Sequence, residues 1–535
     1  MHNIKNILKI YKASTYLQNL LDNLDGSNNL DNSNNFNDGL VELLKNTFTI
    51  LNLNVSHKKY IKYLSNLITN HKNIKYTTKN ILSYVKLADY FQLDIQDEFF
   101  IFILDKYVFE QNLFYDKLYQ YNPINYYILD KFSKKNDINN ATFIYIFKIN
   151  KNICNEIKTL YSEHIEQNLL NKCIFIVNLY IANNKKIQNV NHLQLLEDLD
   201  ISGYCGVNQN GIKKLLLVKK LVTHTNHKIH NVNHLQLLEE LDISYNIGAC
   251  GIQVGQNGVD QNGIKNLLLV KKLNVNSNVN ITDVNHLQLL VDLNISNHCN
   301  VDQNGISKLL FIKKLNTSEN SKIKNVNHLQ LLVDLDLSNI TYKCGVNQNG
   351  ISHLLFVKKL NTIYNKQIKN INHLQLLEEL NISYHSRVDQ NGISQLLFVK
   401  KLDAKHNKKI TNVNHLQLLV DLDISSECCV NQHGISQLSL VKKLNASNNH
   451  EIKNVNHLQL LEDLDIGGRC VDQNGISQLL LVKKLNANSN CKITNVNHMQ
   501  LLEDLNIQCS CGINQNGISQ LMSIKTLYIF GNPNF

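Results

Sequence analysis

Apolar residues recur at fixed intervals along the C-terminal two thirds of the chain, in the pattern L-x-x-L-x-L-x-x-N. One copy places Leu196, Leu199 and Ile201 at the apolar positions, and the next copy follows about 21 residues later. The alternation at the end of the pattern predicts a short strand with one buried face. Because a unit of this size cannot bury its own apolar face, its regular return predicts a stack of units.

A double unit of about 42 residues occurs eight times between Gln188 and Ser519. One half carries N-V-N-H-L-Q-L-L and the other V-D-Q-N-G-I-S-Q-L-L. With degenerate copies at both ends, the chain contains seventeen single units. The step into each histidine-containing unit is always 20 residues, whereas the step out of it varies from 21 to 32. The insertions therefore fall in one class of loop.

This repeat resembles the leucine-rich repeat family over residues 173–535. The resemblance implies an α/β solenoid shaped as a horseshoe, with a parallel β-sheet on its concave face. The short return path of each unit leaves room for one or two turns of α or 3₁₀ helix on the convex face. We expect two domains, a mainly helical N-terminal domain over 1–172 and a leucine-rich repeat domain of about 17 rungs over 173–535.

Asparagine occupies the ninth position of every second unit, at Asn184, Asn226, Asn278, Asn320, Asn365, Asn407, Asn449, Asn490 and Asn532. A side-chain amide both donates and accepts hydrogen bonds, so a stacked file of asparagines can satisfy the backbone of adjacent rungs. The alternate units carry a glycine before the return segment, where we expect a turn that needs a permissive backbone.

The glycine-containing units often carry cysteine as well, at Cys205, Cys299, Cys428, Cys470 and Cys511. In this they resemble the cysteine-containing leucine-rich repeats that are typical of F-box substrate receptors. Successive cysteines, like the eight repeated histidines, would lie two rungs or about 10 Å apart, too far for a disulfide or a shared metal. The sequence therefore predicts no metal site, no cofactor and no catalytic residue.

Charged positions alternate from rung to rung, with Asp198 on one strand and Lys220 on the next. Such pairs should interact across the sheet, and each exposed pair should contribute about 0–1 kcal/mol. The net charge is +10, but the basic residues form no stripe, and Arg387 and Arg469 are the only arginines. We therefore predict neither a nucleic-acid partner nor, since apolar runs are short, a membrane span.

A surface this regular suits either an extended or repetitive ligand, or binding at the places where the repetition breaks. The candidate residues for partner binding are Ile252 and Gln253 in the longest insertion, Tyr342 and Lys343 in a second one, and Tyr528 and Phe530 near the C-terminal end. The C-terminal aromatic residues have an alternative interpretation, in which they cap the core of the last rung.

The N-terminal third lacks the repeat. Residues 22–38 are polar and rich in asparagine, which predicts a flexible linker. Residues 80–94, 119–132 and 144–170 show helical or aromatic-rich helical patterns. The phrase I-L-S-Y-V-K-L-A-D-Y-F-Q-L-D resembles the helix pair near the end of BTB/POZ and Skp-like domains. A degenerate domain of that type over about 40–110 and an unrelated helix hairpin both stay open.

The sequence contains no phosphate-binding loop, nucleophile elbow or H-E-x-x-H motif, so we predict a protein that is not an enzyme. The leading hypothesis is a scaffold that binds one or more protein partners through the repeat domain. The alternative is a substrate-recognition subunit of a cullin-type ubiquitin ligase, an F-box- or BTB-like adaptor with cullin and Skp-like machinery as partners. We expect a cytoplasmic location, in the host cytoplasm if the protein is viral.

Overall fold

The computed structural model describes residues 157–245, 258–341 and 344–535. The predicted linker at 22–38 and the possible BTB-like segment at 40–110 lie outside these ranges. The chain divides after Leu196 into two compact units, which we describe separately.

The described part of the first unit contains the strands β1 (Thr159–Tyr161) and β2 (Asn178–Tyr180) and the short helix α1 (Gln167–Leu170) between them. The two strands pair in parallel, with Leu160 opposite Leu179. The strand β1 lies in a segment for which the sequence pattern predicted helix, and it precedes residue 173. The structure thus describes eighteen strands, one more than the seventeen repeat units.

The second unit contains sixteen parallel strands, each paired with the next along the chain. These are β3 (Asp198–Asp200), β4 (Lys220–Val222), β5 (Glu240–Asp242), β6 (Lys272–Asn274), β7 (Asp292–Asn294), β8 (Lys314–Asn316), β9 (Asp334–Asp336), β10 (Lys359–Asn361), β11 (Glu379–Asn381), β12 (Lys401–Asp403), β13 (Asp421–Asp423), β14 (Lys443–Asn445), β15 (Asp463–Asp465), β16 (Lys484–Asn486), β17 (Asp504–Asn506) and β18 (Thr526–Tyr528). The predicted leucine-rich-repeat solenoid is confirmed.

In the second compact unit, the return segments are helical only in the glycine-containing repeats. They form the α-helices α2 (Gln209–Ile212), α3 (Gln261–Ile264) and α4 (Gln390–Ile393), and 3₁₀ helices at Asn304–Ile306, Gln348–Ile351, His433–Ile435, Asn474–Ile476 and Asn516–Ile518. An Asn or Asp caps them; the Asp260 carboxylate, for example, accepts a hydrogen bond from the Gly263 N–H at 2.8 Å. Such short helices match the space that the sequence leaves.

The core is a stack of buried leucine, isoleucine and valine side chains, one layer per rung. In β17, for instance, Leu505 and Ile507 are fully buried. The equivalent residues of the rung that contains β18, Leu527 and Ile529, are 38% and 41% exposed, because among the described strands β18 is paired only with β17. Burial in this fold therefore depends on a neighbour on each side, as expected for a solenoid.

The predicted asparagine ladder is confirmed in all nine units. The Asn449 side chain is fully buried. Its Nδ2 donates to the carbonyls of Ile424 and Val430 at 2.8 and 3.1 Å, and its Oδ1 accepts from the Glu451 N–H at 3.0 Å. Each ladder residue thus ties its own turn to the preceding rung.

The repeated glycines serve a different purpose from the one predicted. A Cβ on Gly434 would lie 2.2 Å from the Thr411 carbonyl oxygen, and six further glycines meet a backbone oxygen of the preceding rung at 2.1–2.2 Å. The Gly434 carbonyl also accepts a hydrogen bond from the Val413 N–H at 2.9 Å. Close backbone approach, rather than turn conformation, therefore selects glycine at these positions.

Candidate binding surfaces

The outward side of the strands, which we call the strand face, carries alternating charges at the first position of successive strands, whereas the aspartates at the third position have no lysine opposite them. Ion pairs join neighbouring strands at Lys220–Asp198, Lys272–Glu240, Lys359–Glu379, Lys401–Asp421, Lys443–Asp463 and Lys484–Asp504. The predicted pairing of rungs is confirmed. A hollow of about 360 Å³ over β4–β8 is lined by charged residues, asparagines and a few leucine and valine residues of these strands.

A second row of ion pairs lies just before the strands, where the sequence interpretation did not place one. Glu378 interacts with both Lys358 and Lys400, at 3.0 and 2.7 Å. Hydrogen bonds from these two lysines lower the pKa of Glu378 to about 2. In six of the seven V-K-K-L or I-K-K-L segments the first lysine is therefore ion-paired, as the second is.

The repeated histidines cap backbone carbonyls. In His415 the Nε2–H donates to the Ile393 carbonyl of the preceding rung at 2.9 Å, and the same contact recurs at each of the other repeated histidines. Burial lowers the pKa of His234, His373 and His415. At these three positions burial therefore favours the neutral imidazole.

The glutamines and asparagines of the repeat form further ladders that the sequence interpretation missed. The Gln432 Nε2 donates to the Asn454 carbonyl at 2.7 Å, while its Oε1 accepts from the N–H groups of Lys453 and Asn454. Seven other residues, including Gln167, make the same bridge. Most of the conserved-looking polar positions of the repeat therefore make hydrogen bonds within the protein.

The cysteines that recur in the glycine-containing units are buried free thiols. Burial raises the pKa of Cys205 and Cys344 to about 11 and that of Cys299 and Cys428 to about 12. These thiols stay protonated near neutral pH and are poor nucleophiles. Within the described ranges, no group of three His, Cys, Asp or Glu side chains is placed to hold a metal ion.

Four of the six residues predicted for partner binding, Ile252, Gln253, Tyr342 and Lys343, lie outside the described residues. The structure does show how the longer insertion is anchored. A Cβ on Gly258 would lie 1.7 Å from the Tyr245 hydroxyl oxygen, so the tyrosine fills the space beside this glycine. Tyr245 and Gly258, the described residues on either side of the insertion, are therefore in contact, and burial raises the pKa of Tyr245 to about 12.

The other two predicted residues, Tyr528 and Phe530, are exposed at the end of the solenoid. Phe530 is 83% exposed, so its ring projects into solvent instead of covering the last rung. Together with the exposed Leu527 and Ile529 they form an apolar C-terminal end. Their role in partner binding stays a prediction.

An unpredicted apolar strip runs along the second unit, three residues before the start of each strand from β4 to β17. Every member is 37–51% exposed. This leucine row consists of Leu217, Leu237, Leu269, Leu289, Phe311, Leu331, Phe356, Leu376, Phe398, Leu418, Leu440, Leu460, Leu481 and Leu501. At about 4.8 Å per rung it extends for about 60 Å.

The leucine row is most apolar in its middle, where Phe311, Phe356 and Phe398 occur on alternate rungs. The residue before a row member is exposed as well along the length of the row, for example Leu216 at 62%, Leu310 at 56% and Leu480 at 59%. In the same region the second row of ion pairs, which lies just before the strands, is interrupted. The backbone of Lys313 is hydrogen-bonded to Val291 and Val333 on the two neighbouring rungs. These valines occupy positions at which other rungs carry the glutamate that pairs with the lysine. Among the described residues Lys313 makes no ion pair.

A second departure from the repeat lies beyond the other end of the strands, in the turns after β10, β11 and β12. Tyr364, Tyr384 and His406 occupy equivalent left-handed turn positions, with φ of 55–58°. Their rings stack at 5.0 and 5.3 Å between centroids. The turns of most other rungs have small polar residues there, so the three consecutive rings form a local feature, which we call the Tyr–His stack.

No protein-family model and no curated protein matches the chain. Among solved structures it is similar to the functional domain of InlJ from Listeria monocytogenes, which includes a cysteine ladder, with 17% identity over 63% of this chain and 67% of that chain and a TM-score of 0.35. The TLR13–ssRNA13 complex gives 17% identity, 70% coverage of both chains and a TM-score of 0.44.

The leucine-rich repeat protein LIC12759 from Leptospira interrogans is also similar, with 19% identity over 69% of this chain and 88% of that chain and a TM-score of 0.35. These likenesses concern the fold, which the strands and ladders of this chain establish independently. Over the ranges that the structure covers, no helix has the length and apolar content needed to cross a bilayer.

Proposed function

We propose that the protein is a non-enzymatic scaffold that binds an elongated protein partner along the leucine row. The observation that carries this proposal is the alignment of fourteen exposed apolar side chains on consecutive rungs. Contiguous apolar surfaces of such extent are unusual on soluble proteins unless something covers them. The strand face offers less apolar surface, because its outward positions carry lysines, carboxylates and asparagines, many of them bonded across the rungs.

The middle of the row defines the chemistry of the partner. Phe311, Phe356 and Phe398 provide large apolar contacts about 10 Å apart, which suits apolar side chains presented at a similar spacing. Beside them the ammonium group of Lys313 has valines on both neighbouring rungs. A partner that combines apolar side chains with a carboxylate opposite Lys313 matches both features.

The test uses affinity purification of the full chain from the cells that make it. We expect the triple variant Phe311→Ser/Phe356→Ser/Phe398→Ser to lose the partner that the unchanged chain retains, while Phe530→Ser retains it. Phe530 is the matched control, since it receives the same substitution and is exposed away from the row. Retention by the triple variant would exclude the leucine row as the binding surface.

Two further arms separate competing sites and partners. Loss of the partner from Phe530→Ser alone would transfer binding to the C-terminal end, and loss from Tyr342→Ala/Lys343→Ala or Ile252→Ala/Gln253→Ala would transfer it to an insertion. Digestion with nuclease before elution tests the class of macromolecule. Release by nuclease would contradict a protein partner.

The alternative role, recruitment of a cullin-type ubiquitin ligase, rests on the sequence of residues 80–94. It stays the alternative to a plain scaffold and assigns recruitment to residues 1–172, which is tested by deleting them from the full chain. Loss of cullin or Skp-like components with retention of the partner would support it. A cytoplasmic location remains part of this proposal, since ubiquitin ligase partners would be met there, and microscopy of the tagged chain tests it.

A further inference from the structure

The unit that contains β11 departs from the repeat at four consecutive residues, Tyr384, His385, Ser386 and Arg387. At the position of Arg387 the other glycine-containing units carry glycine, asparagine or cysteine. The backbone N–H of Arg387 donates to the Asn365 carbonyl at 2.8 Å, and Gly512 makes the equivalent bond to Asn490 at 3.1 Å. Since glycine suffices for this contact, the fold does not require the guanidinium group.

Arg387 lines an open cavity of about 510 Å³ beside the Tyr–His stack. The other charged lining residues are Lys366, Lys408 and Lys409, and none of the lining residues is acidic. Tyr384 and His406 form an aromatic wall of the same cavity. We call this cavity the Arg387 pocket.

None of the residues that line the Arg387 pocket brings a carboxylate to Arg387, while the nearby Asp389 acts on Lys409 and pairs with Lys369 at 3.3 Å. Lys408 pairs with Glu427 at 2.5 Å, but that carboxylate is not among the lining residues. Arg387 donates one weak bond, from Nη1 to the Lys366 carbonyl at 3.4 Å, which leaves most of its five N–H donors available. An anion entering the pocket would therefore find donors that the fold has not consumed.

Comparison with other units shows that Lys409 is in an unusual position. The equivalent Lys228 donates through Nζ to the Cys205 carbonyl of the preceding rung at 3.2 Å, and Lys322 donates to the Asn300 side chain. On the rung before Lys409 stands Arg387, a second cation. Burial and the charge of Arg387 lower the pKa of Lys409. A bound anion would relieve this repulsion.

We propose that the Arg387 pocket binds a phosphate monoester attached to an aromatic ring. The phosphate lies between Arg387 and Lys409, because a guanidinium group offers paired donors to phosphate oxygens and an ammonium adds a second charge. The attached ring lies edge-to-face against the edges of Tyr384 and His406, because the faces of Tyr384 are already covered by Tyr364 and His406. This site lies beyond the carboxyl ends of the strands, whereas the leucine row precedes their amino ends, so it is independent of the proposed protein partner.

The first experiment is calorimetric titration of the full chain with phenyl phosphate. We expect Arg387→Gln/Lys409→Gln to weaken binding about tenfold or more, since each substitution removes a charge-assisted hydrogen bond. Arg469→Gln is the matched control, because it removes the only other arginine of the sequence. Arg469 is exposed, and the turn before it has Gly467 and Gly468 where the Arg387 rung has an aromatic residue. Equal weakening in both variants, or absence of binding by the unchanged chain, would overturn the proposal.

A second experiment separates the phosphate from the ring. Tyr384→Leu should weaken binding of phenyl phosphate several-fold while leaving that of inorganic phosphate unchanged. Equal loss for both ligands would refute the ring contact, and thermal unfolding of each variant checks that the rung remains folded. Titration with O-phosphotyrosine and with AMP then distinguishes a phosphorylated side chain from a nucleotide as the source of the ligand. Phenyl sulfate carries one negative charge where phenyl phosphate carries up to two. Equally tight binding of the two would contradict a site that selects a phosphate monoester.

Discussion

The asparagine ladder and the leucine row are equally regular in sequence but have opposite surroundings. Ladder residues such as Asn449 are fully buried and use both ends of the amide within the fold. Row residues such as Phe356 are 49% exposed and lie outside the buried layers. Regularity alone therefore does not distinguish a structural position from a binding position. What distinguishes them is whether the fold already satisfies the side chain.

The largest effect should come from breaking the ladder. We predict that Asn449→Ala lowers the free energy of unfolding by about 3–5 kcal/mol, because it removes three hydrogen bonds and leaves buried backbone groups without partners. Urea unfolding of the full chain provides the measurement. The adjacent Asn448 is the control, since it is exposed in a left-handed turn with φ of 55° and Asn448→Gly should change the stability by less than about 1 kcal/mol.

A somewhat smaller loss should follow from adding a methyl group between rungs. Gly434→Ala places a Cβ 2.2 Å from the Thr411 carbonyl oxygen, and we predict a destabilisation of about 2–3 kcal/mol. In Gly467→Ala the nearest atom is a side-chain oxygen of Asp465, at 3.2 Å, so this variant should stay within about 1 kcal/mol of the unchanged chain. Similar unfolding midpoints for the two variants would contradict the close-approach explanation.

The glycines also show which features of the fold could be predicted from the sequence and which could not. The spacing of Leu196, Leu199 and Ile201 predicted strand, core and stacking correctly, because periodic burial leaves a periodic trace. A repeated glycine such as Gly434 carries no sign of which constraint selects it, so a turn and a close contact look alike. Only the distance to Thr411 decides between them.

The leucine row was missed although its signal is present in the sequence. In L-Q-L-L two leucines are adjacent, as in Leu376 and Leu377, and neighbouring side chains in an extended segment cannot both enter the core. The structure buries Leu377 and exposes Leu376. Because every leucine of the repeat was assigned to the core, the first leucine of each such pair was not recognised as exposed. The Tyr–His stack was missed for a related reason, since Tyr364 and Tyr384 come together only when the units are superposed.

The histidine file should make stability depend on pH. Burial lowers the pKa of His234, His373 and His415 in the folded chain, so below the ordinary value of about 6.5 the unfolded chain binds more protons. We predict that the urea midpoint falls between pH 7.5 and 5.5. Since each ring is only partly buried, this effect should be smaller than that of Gly434→Ala.

Substitution isolates the contribution of the histidines to this pH dependence. Burial raises the pKa of Asp334, Asp403 and Asp465, and their protonation acts in the opposite sense, favouring the folded state as the pH falls. His373→Gln/His415→Gln should therefore flatten the dependence, because an amide can donate to the same carbonyl without titrating. An unchanged slope would exclude the histidines as its source.

The smallest change in stability should come from the leucine row itself. Phe356→Ser removes an exposed ring, so we predict an unfolding free energy within about 0.5 kcal/mol of the unchanged chain. Its contrast with Asn449→Ala tests whether the row contributes to folding. A loss above about 2 kcal/mol would mean that the ring belongs to the packed core, and the leucine row would then be a structural file like the ladder. Unchanged stability together with loss of the partner would show that two equally regular files of one solenoid are maintained for different reasons, one for folding and one for binding.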